Sequence, residues 1–157
     1  MTKEEVLKNI NEKFADDILD VFDRSVRRVY IEIKAQSLVK VAVYVFKDMK
    51  ARFNTASGVD ARDHMEMLYH FTFDQISLVV SFRVKLGREN PEIDSLAPYF
   101  EGANWMERET RETLGINFKG HPDPRRLLLP EDWPQDVYPL RRDYKEWDKN
   151  AIRDRGV

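Results

Sequence analysis

All seven prolines of this 157-residue chain fall between Pro91 and Pro139. Proline has no backbone N–H to donate and a fixed φ, so it interrupts helices and is kept out of central strands. Long regular elements therefore belong to the first ninety residues, and the remainder must be organised differently. A chain of this length has room for one domain with a real core and not comfortably for two.

Hydrophobic spacing separates the elements of the first part. Val6, Leu7, Ile10 and Phe14 recur at helical intervals among Lys and Glu residues, which predicts an amphipathic helix. Ile18 to Phe22 is a short apolar segment read as a first strand, and Val29, Ile31 and Ile33 alternate with Tyr30, Glu32 and Lys34 as a half-buried strand does. Ser37 to Met49 fits two patterns: its valines favour a strand, while Leu38, Val41, Ala42, Val45 and Met49 form a helical stripe behind Ser37 as cap. Its length favours the helix. Arg52 to Val59 reads as a strand, with a turn region from Gly58 to Asp63. The clearest hairpin joins Met65–Phe73 to Leu78–Leu86 through Asp74-Gln75, apolar at every second position. His64 and His70 in this region read as tolerated strand residues rather than ligands.

The expected fold class is α+β, with a mostly antiparallel sheet packed with helices and at most one face of the sheet in water, followed by an extended irregular C-terminal arm. The expected division is an α+β domain over residues 1–118 and the arm over 119–157.

Between the two parts, Ser95 to Phe100 predicts a short helical turn broken by Gly102-Ala103. Asn104 then reads as an N-cap, with Glu107 three residues on as in a capping box, and Gly115 as the left-handed stop of a helix from Trp105 to Leu114. The middle of that helix is Glu107, Arg108, Glu109, Arg111 and Glu112, with Glu107 and Arg111 at the favourable i,i+4 spacing. Such a helix is ordinarily solvated and laced with its own ion pairs. The sharper reading fixes its charges against the following segment or against a partner. Glu109 and Glu112 could also pair for acid–base chemistry with His121 nearby, although the Glu-x-x-His spacing of carboxylate di-metal helices is missing.

From Lys119 onward the prolines forbid a long helix or central strand before Arg141, yet the stretch is not a polar linker. Leu127, Leu128, Leu129, Trp133, Val137, Tyr138, Leu140, Tyr144 and Trp147 need a surface to lie on. The segment reads as an arm wrapped on a partner, with aromatic anchors and Arg125, Arg126, Arg141 and Arg142 as forked donors. The alternative is that it folds back over its own domain.

Composition supplies exclusions. With 26 Lys plus Arg against 28 Asp plus Glu, the net charge of −2 offers no field for a phosphate backbone, so nucleic acid is not an expected partner. The longest strongly apolar run, Val41 to Phe46, is too short to cross a bilayer, and Met1-Thr2-Lys3-Glu4-Glu5 is acidic where a signal peptide would be basic. The expected location is the cytosol, with any membrane association through partners. The absence of Cys excludes disulfides, thiolate nucleophiles and cysteine-ligated iron–sulfur centres on these residues.

Four blocks carry a family resemblance: Trp105-Met106-Glu107-Arg108-Glu109; Gly115-Ile116-Asn117-Phe118; the run from Gly120-His121-Pro122-Asp123-Pro124-Arg125-Arg126 through Leu127-Leu128-Leu129-Pro130-Glu131-Asp132-Trp133; and Tyr138-Pro139-Leu140-Arg141-Arg142-Asp143-Tyr144. In this order they resemble the signature of the C-type subunit of respiratory NADH:quinone oxidoreductase (complex I), a family that also supplies a subunit to membrane-bound [NiFe] hydrogenases and related ferredoxin-linked complexes. The resemblance implies a non-catalytic assembly subunit in the cytoplasmic peripheral arm, docked on a large D-type or hydrogenase-like subunit and beside a cluster-bearing small subunit. It implies no cofactor on this polypeptide, with iron–sulfur clusters, and nickel–iron in a hydrogenase, on the neighbours. Glu107, Arg108 and Glu109 would be buried or interfacial charges, His121 and Asp123 turn and hydrogen-bond residues, Trp133 an anchor, and Arg125, Arg126, Arg141, Arg142 and Asp143 inter-subunit pairs. Two departures favour a hydrogenase-type or sulfur-reducing, ferredoxin-linked complex over an NADH-oxidising one. Glu112-Thr113-Leu114 stands where complex I members carry an Asp and an aromatic, and Asp136-Val137 where a Gly is common. A free-standing enzyme using Glu109, Glu112 and His121 is the rival from another class, and a monomeric binding module whose arm packs on itself is the third reading.

Overall fold

Thr2 opens the first helix, α1 (Lys3–Phe14), through a complete capping box: its hydroxyl accepts from the Glu5 amide and its own amide donates to the Glu5 carboxylate at 2.8 Å. The computed structural model describes residues 1–145. The anticipated stripe is the buried face of α1, with Val6, Ile10 and Phe14 all packed in the core. Two strands follow, β1 (Ile18–Ser25) and β2 (Arg28–Ile33), paired antiparallel. The β2 alternation is real, since Val29, Ile31 and Ile33 are buried and their neighbours are not. β1 differs: it is the outermost strand, and Leu19, Val21 and Phe22 stand exposed on it.

The ambiguous Ser37–Met49 run is helical. A 3₁₀ turn (Ala35–Ser37) leads into α2 (Leu38–Val43), which widens into a turn of π-helix over Tyr44–Asp48. Ser37 does not cap it by its side chain. Its hydroxyl donates instead to Asp17 at 2.6 Å, because Asp17 lies beside it between α1 and β1. β3 (Arg52–Asp60), β4 (His64–Phe73) and β5 (Leu78–Gly87) complete the sheet, and the β4–β5 turn is closed by Ser77 at φ +52°.

The strand order is β1-β2-β5-β4-β3, with β2 and β5 parallel and every other pair antiparallel, so the sheet is mixed and mostly antiparallel. In the β4–β5 register, Met67 lies opposite Val84, Tyr69 opposite Phe82 and Phe71 opposite Val80, and these side chains make the core with the helices. The opposite face is polar, crossed by Lys85–Glu32 at 2.9 Å and Arg83–Glu66 at 3.5 Å. The α+β class and the single wet face are as the sequence leads one to expect.

Beyond the sheet, β6 (Glu92–Asp94) pairs in parallel with β7 (Asn117–Lys119), and between them runs α3 (Glu101–Leu114). Amides of Tyr99 and Phe100 both donate to the Leu96 carbonyl, giving the helical turn expected before α3. That turn is not separated from α3 by Gly102-Ala103. The helix begins at Glu101 with Phe100 as its N-cap, so Asn104 lies inside it and is neither cap nor partner in a capping box with Glu107. The reason is packing: Phe100 stacks on Phe53 at 5.5 Å and meets Phe46 and Phe71, anchoring the start of the helix ahead of where polar cap rules place it. The Gly115 stop is present at φ +75°. α3 approaches β3 closely at Gly58, where a Cβ would come within 2.5 Å of Leu114 and 2.8 Å of Thr110. No helix or strand follows Lys119 among the described residues, and no helix there is long and apolar enough to cross a membrane. Trp147 and the rest of the arm to residue 157 lie outside them.

Candidate functional site

The signature residues converge on α3, whose charges point in three directions. Glu107 is fully buried. Its carboxylate accepts from the Ser95 hydroxyl and from the Leu96 amide at 2.7 Å, which ties the helix to the turn leaving β6. Burial pushes its pKa up to about 7, against the opposing pull of those hydrogen bonds. The expected i,i+4 pair with Arg111 does not form, because Glu107 faces the interior and Arg111 is exposed. The buried Tyr69 hydroxyl lies close enough to feel the Glu107 charge, and burial followed by that charge raises its pKa well above the ordinary phenol range.

His121 sits at the same end of the helix with its side chain only 3% exposed. Nε2 hydrogen-bonds the Asn104 carbonyl at 3.1 Å, and Nδ1 accepts from the Asp123 amide at 3.0 Å, which fixes the Nε2-protonated tautomer. The ring lies 3.8 Å from Glu107. The ring-to-amide bond ties His121 to Asp123 at the start of the arm.

Arg108 and Glu112 share the next face, four residues apart. The Arg108 guanidinium donates to the carbonyls of Arg125 at 2.9 Å and Arg126 at 2.7 Å and pairs with Asp123 at 3.3 Å. One turn on, the Glu112 carboxylate accepts from three consecutive amides, Leu127 at 3.1 Å, Leu128 at 2.5 Å and Leu129 at 3.3 Å. Asp123 is also clasped by Arg125, whose guanidinium bonds, outweighing slight burial, hold the Asp123 carboxyl well below the usual range. The Arg126 guanidinium donates to the carbonyls of Pro130 and Trp133, both at 2.7 Å, closing a loop on itself. Trp133 donates its indole N–H to Val137 at 2.8 Å and stacks near Tyr144.

The third direction is the C-terminus of α3. The Leu140 amide donates to the Thr113 carbonyl at 3.0 Å, and Arg141 Nε to the Leu114 carbonyl at 2.7 Å, satisfying acceptors that a helix end leaves unpaired and placing a cation at the negative end of the dipole. The Arg141 guanidinium covers the Tyr138 ring at 4.5 Å. The Arg142 amide donates to Asp60 at 2.8 Å, and the same carboxylate is paired with Arg88. Asp136 has φ +58°, the left-handed region that favours Gly.

The described part of the arm therefore lies back along α3 rather than projecting. Arg125, Arg126 and Arg141 direct their guanidinium groups at this chain's own acceptors, while Arg142 contributes its amide. Glu109, Glu112 and His121 are not brought together around a shared opening. His121 bonds at the Asn104 turn and Glu112 lies eight residues further, about 12 Å along the axis, with both its oxygens occupied by amides. Asp143 is exposed, and Glu109 contributes only its backbone carbonyl, to the Thr113 hydroxyl. The reading that fixes the helix charges against the following segment anticipated no particular target for Glu112, for which the i,i+4 spacing from Arg108 was the available signal, and the pair expected between Glu107 and Arg111 does not form. On the outer side of α3 and the arm, Trp105, Leu128 and Leu140 are 63%, 62% and 63% exposed.

The family model described as the respiratory-chain NADH dehydrogenase 30 Kd subunit matches residues 31–150. The C subunit of the NADH-quinone oxidoreductase of Chloroherpeton thalassium is 35% identical over 143 residues, covering 87% of this chain but 58% of the relative. The C subunit of the F(420)H(2) dehydrogenase of Methanosarcina mazei is 31% identical over 151 residues, 94% of this chain and 95% of the relative. Among solved structures, a component of the membrane-bound sulfane sulfur reductase, an archaeal respiratory membrane complex, shares the fold with a TM-score of 0.79 at 20% identity, over 90% of this chain and 85% of that one. With its signature residues placed around α3 and the family model spanning residues 31–150, the chain belongs to the family of the respiratory-chain NADH dehydrogenase 30 Kd subunit.

Proposed function

We propose that this protein is a non-catalytic assembly subunit of a membrane-bound, complex I-type oxidoreductase, seated in the peripheral arm on the cytoplasmic side. It docks on the large D-type or hydrogenase-like subunit and lies beside the cluster-bearing small subunit. Electron transfer and ion translocation are functions of the complex, with the iron–sulfur clusters, and nickel–iron if it is a hydrogenase, on its neighbours.

The observation that carries this reading is the direction of the signature side chains. Glu107, Arg108, Glu112, Arg126 and Arg141 address this chain's own backbone, which makes them scaffold, while Trp105, Leu128 and Leu140 are left outward. An outward tryptophan such as Trp105 is the kind of side chain that anchors a protein interface, and the leucines add apolar area beside the arm. The absence of Cys supports placing the redox centres elsewhere. A relative matched over 95% of its length is named for F(420)H(2), which supports an electron donor other than NADH, and the shared fold with a component of a sulfane sulfur reductase is compatible with a hydrogenase-type or sulfur-reducing complex. The C-type component of NADH:quinone oxidoreductase proper is the other member of the same class.

Affinity purification of the tagged protein from native membranes, with mass-spectrometric identification of what accompanies it, is the test. A large subunit with two pairs of nickel-binding cysteines identifies a hydrogenase; one without them leaves quinone or sulfur-compound reduction. Recovery of the protein alone, or redox turnover by the purified polypeptide alone, overturns the proposal.

A further inference from the structure

Between α3 and the arm lies a cleft of about 340 Å³, bordered by Arg111, Arg126, Trp133, Gln135, Asp136 and Tyr138 among others. Its charges are unequally committed. Arg108 and Arg125 share the one carboxylate of Asp123. Glu112 accepts from three amides and Asp136 from the Tyr138 hydroxyl at 3.3 Å, all neutral donors, so the lining sets four guanidinium groups against these two carboxylates. Arg126 is bound only by neutral carbonyls, so its charge is solvated but not cancelled. Arg111 has no hydrogen-bond or ion-pair partner among the described residues, although its charge is felt at Tyr138 across the cleft. The result is a positive recess with a planar five-donor fork unused at its wall, beside aromatic and proline side chains.

We infer that this cleft receives an acidic segment of the large partner subunit, one of whose carboxylates is forked by Arg111. The inference rests on the assembly role proposed above and names the contact. Charge complementarity selects the occupant: an Asp or Glu side chain offers two coplanar oxygens for the guanidinium edge. Because Arg111 bonds nothing within the described fold, its replacement should leave the fold intact, unlike that of Arg108 or Arg126.

The test uses the full-length tagged protein expressed in its native host. Arg111→Gln should lower recovery of the large subunit about tenfold at moderate salt, equivalent to about 1.4 kcal/mol, with an unchanged melting temperature, and Arg111→Lys should recover part of it. A photo-crosslinking residue at Gln135 should capture a large-subunit peptide bearing Asp or Glu, and the yield should fall in Arg111→Gln. Wild-type protein that recovers no large subunit defeats the assembly role itself. Wild-type recovery matched by Arg111→Gln, or a crosslink to a segment without a carboxylate, overturns the cleft assignment while leaving that role standing.

Discussion

Replacing Glu112 by Ala should release the arm from α3 while leaving the sheet folded. The carboxylate is the common acceptor for the amides of Leu127, Leu128 and Leu129, at 3.1, 2.5 and 3.3 Å. A hydrogen bond to an ionised group contributes about 1.5–3 kcal/mol. The three bonds share one anion, so their contributions do not sum, and the side chain of Leu128 is 62% exposed, which lets water take over some of these donors. A loss of about 2–3 kcal/mol in the local closing free energy of residues 127–129 is the reasoned outcome. In native-state hydrogen exchange this is an acceleration of roughly 30- to 160-fold at those three amides. Amides of β4 and β5, which pair over their whole length, should be unchanged within experimental scatter. Glu112→Gln should give most of the same effect, since an amide keeps one acceptor and turns two donors towards donors. The reasoning is refuted if the three amides exchange within twofold of wild type in Glu112→Ala, or if β4 and β5 loosen in parallel.

Three further outcomes follow from the same geometry. Gly115→Ala imposes φ +75° on a residue with a Cβ and drives that carbon to 2.6 Å from the Tyr138 ring, so a loss of about 2–4 kcal/mol in urea unfolding is expected, together with faster tryptic cleavage at Arg125 and Arg126. Asp136→Gly relieves the φ of +58° and gives up only the 3.3 Å bond from Tyr138, so the melting temperature should rise by a degree or two, an increment of about 0.5 kcal/mol; a fall would mean that the bond outweighs the backbone strain. Glu107 has a folded-state pKa raised to about 7 from an ordinary 4.5. A raised acid pKa stabilises the fold fully below pH 4.5 and loses that contribution as pH climbs through 7, so this group's share of stability should decline across that window, and Glu107→Gln should flatten the stability profile there while holding the Leu96 amide.

The sheet was legible because its signal is periodic. Val29, Ile31 and Ile33, or Met65 through Phe73, declare a buried face by spacing alone; burial in β2 follows that spacing, and in the central strand β4 Leu68 and Thr72 of the other phase are buried as well. The start of α3 was not legible, because Phe100 anchors it by stacking on Phe53, forty-seven positions away, whereas Asn104 satisfies every local rule for a cap and makes none. The parallel pairing of β2 with β5 was equally hidden, since register between distant strands is set by the assembled core and not by either segment. Ser37 fails as a cap for the same reason: Asp17, brought near by the α1–β1 connection, competes for its hydroxyl.

The candidate site shows a different limit. A Glu-Arg-Glu helix reads as a surface of mutual ion pairs, yet Glu107, Arg108 and Glu112 turn to backbone amides and carbonyls, with Ser95 and Asp123 as side-chain partners outside the helix. Backbone acceptors and donors occur at every residue, so they leave no partner in the sequence to be matched by spacing, and only the pairing of Arg108 with Glu112 on one face hinted at a shared target. That target is the stretch from Asp123 to Leu129, where the flanking prolines Pro122, Pro124 and Pro130 prevent regular pairing and so leave amides and carbonyls in need of outside partners. The proline-rich arm and the charged helix are therefore one device: the helix supplies the hydrogen bonds that the prolines deny the arm. A substitution that restored regular structure to the arm would weaken its attachment to α3, and with it the placement of the outward Leu128 and Leu140.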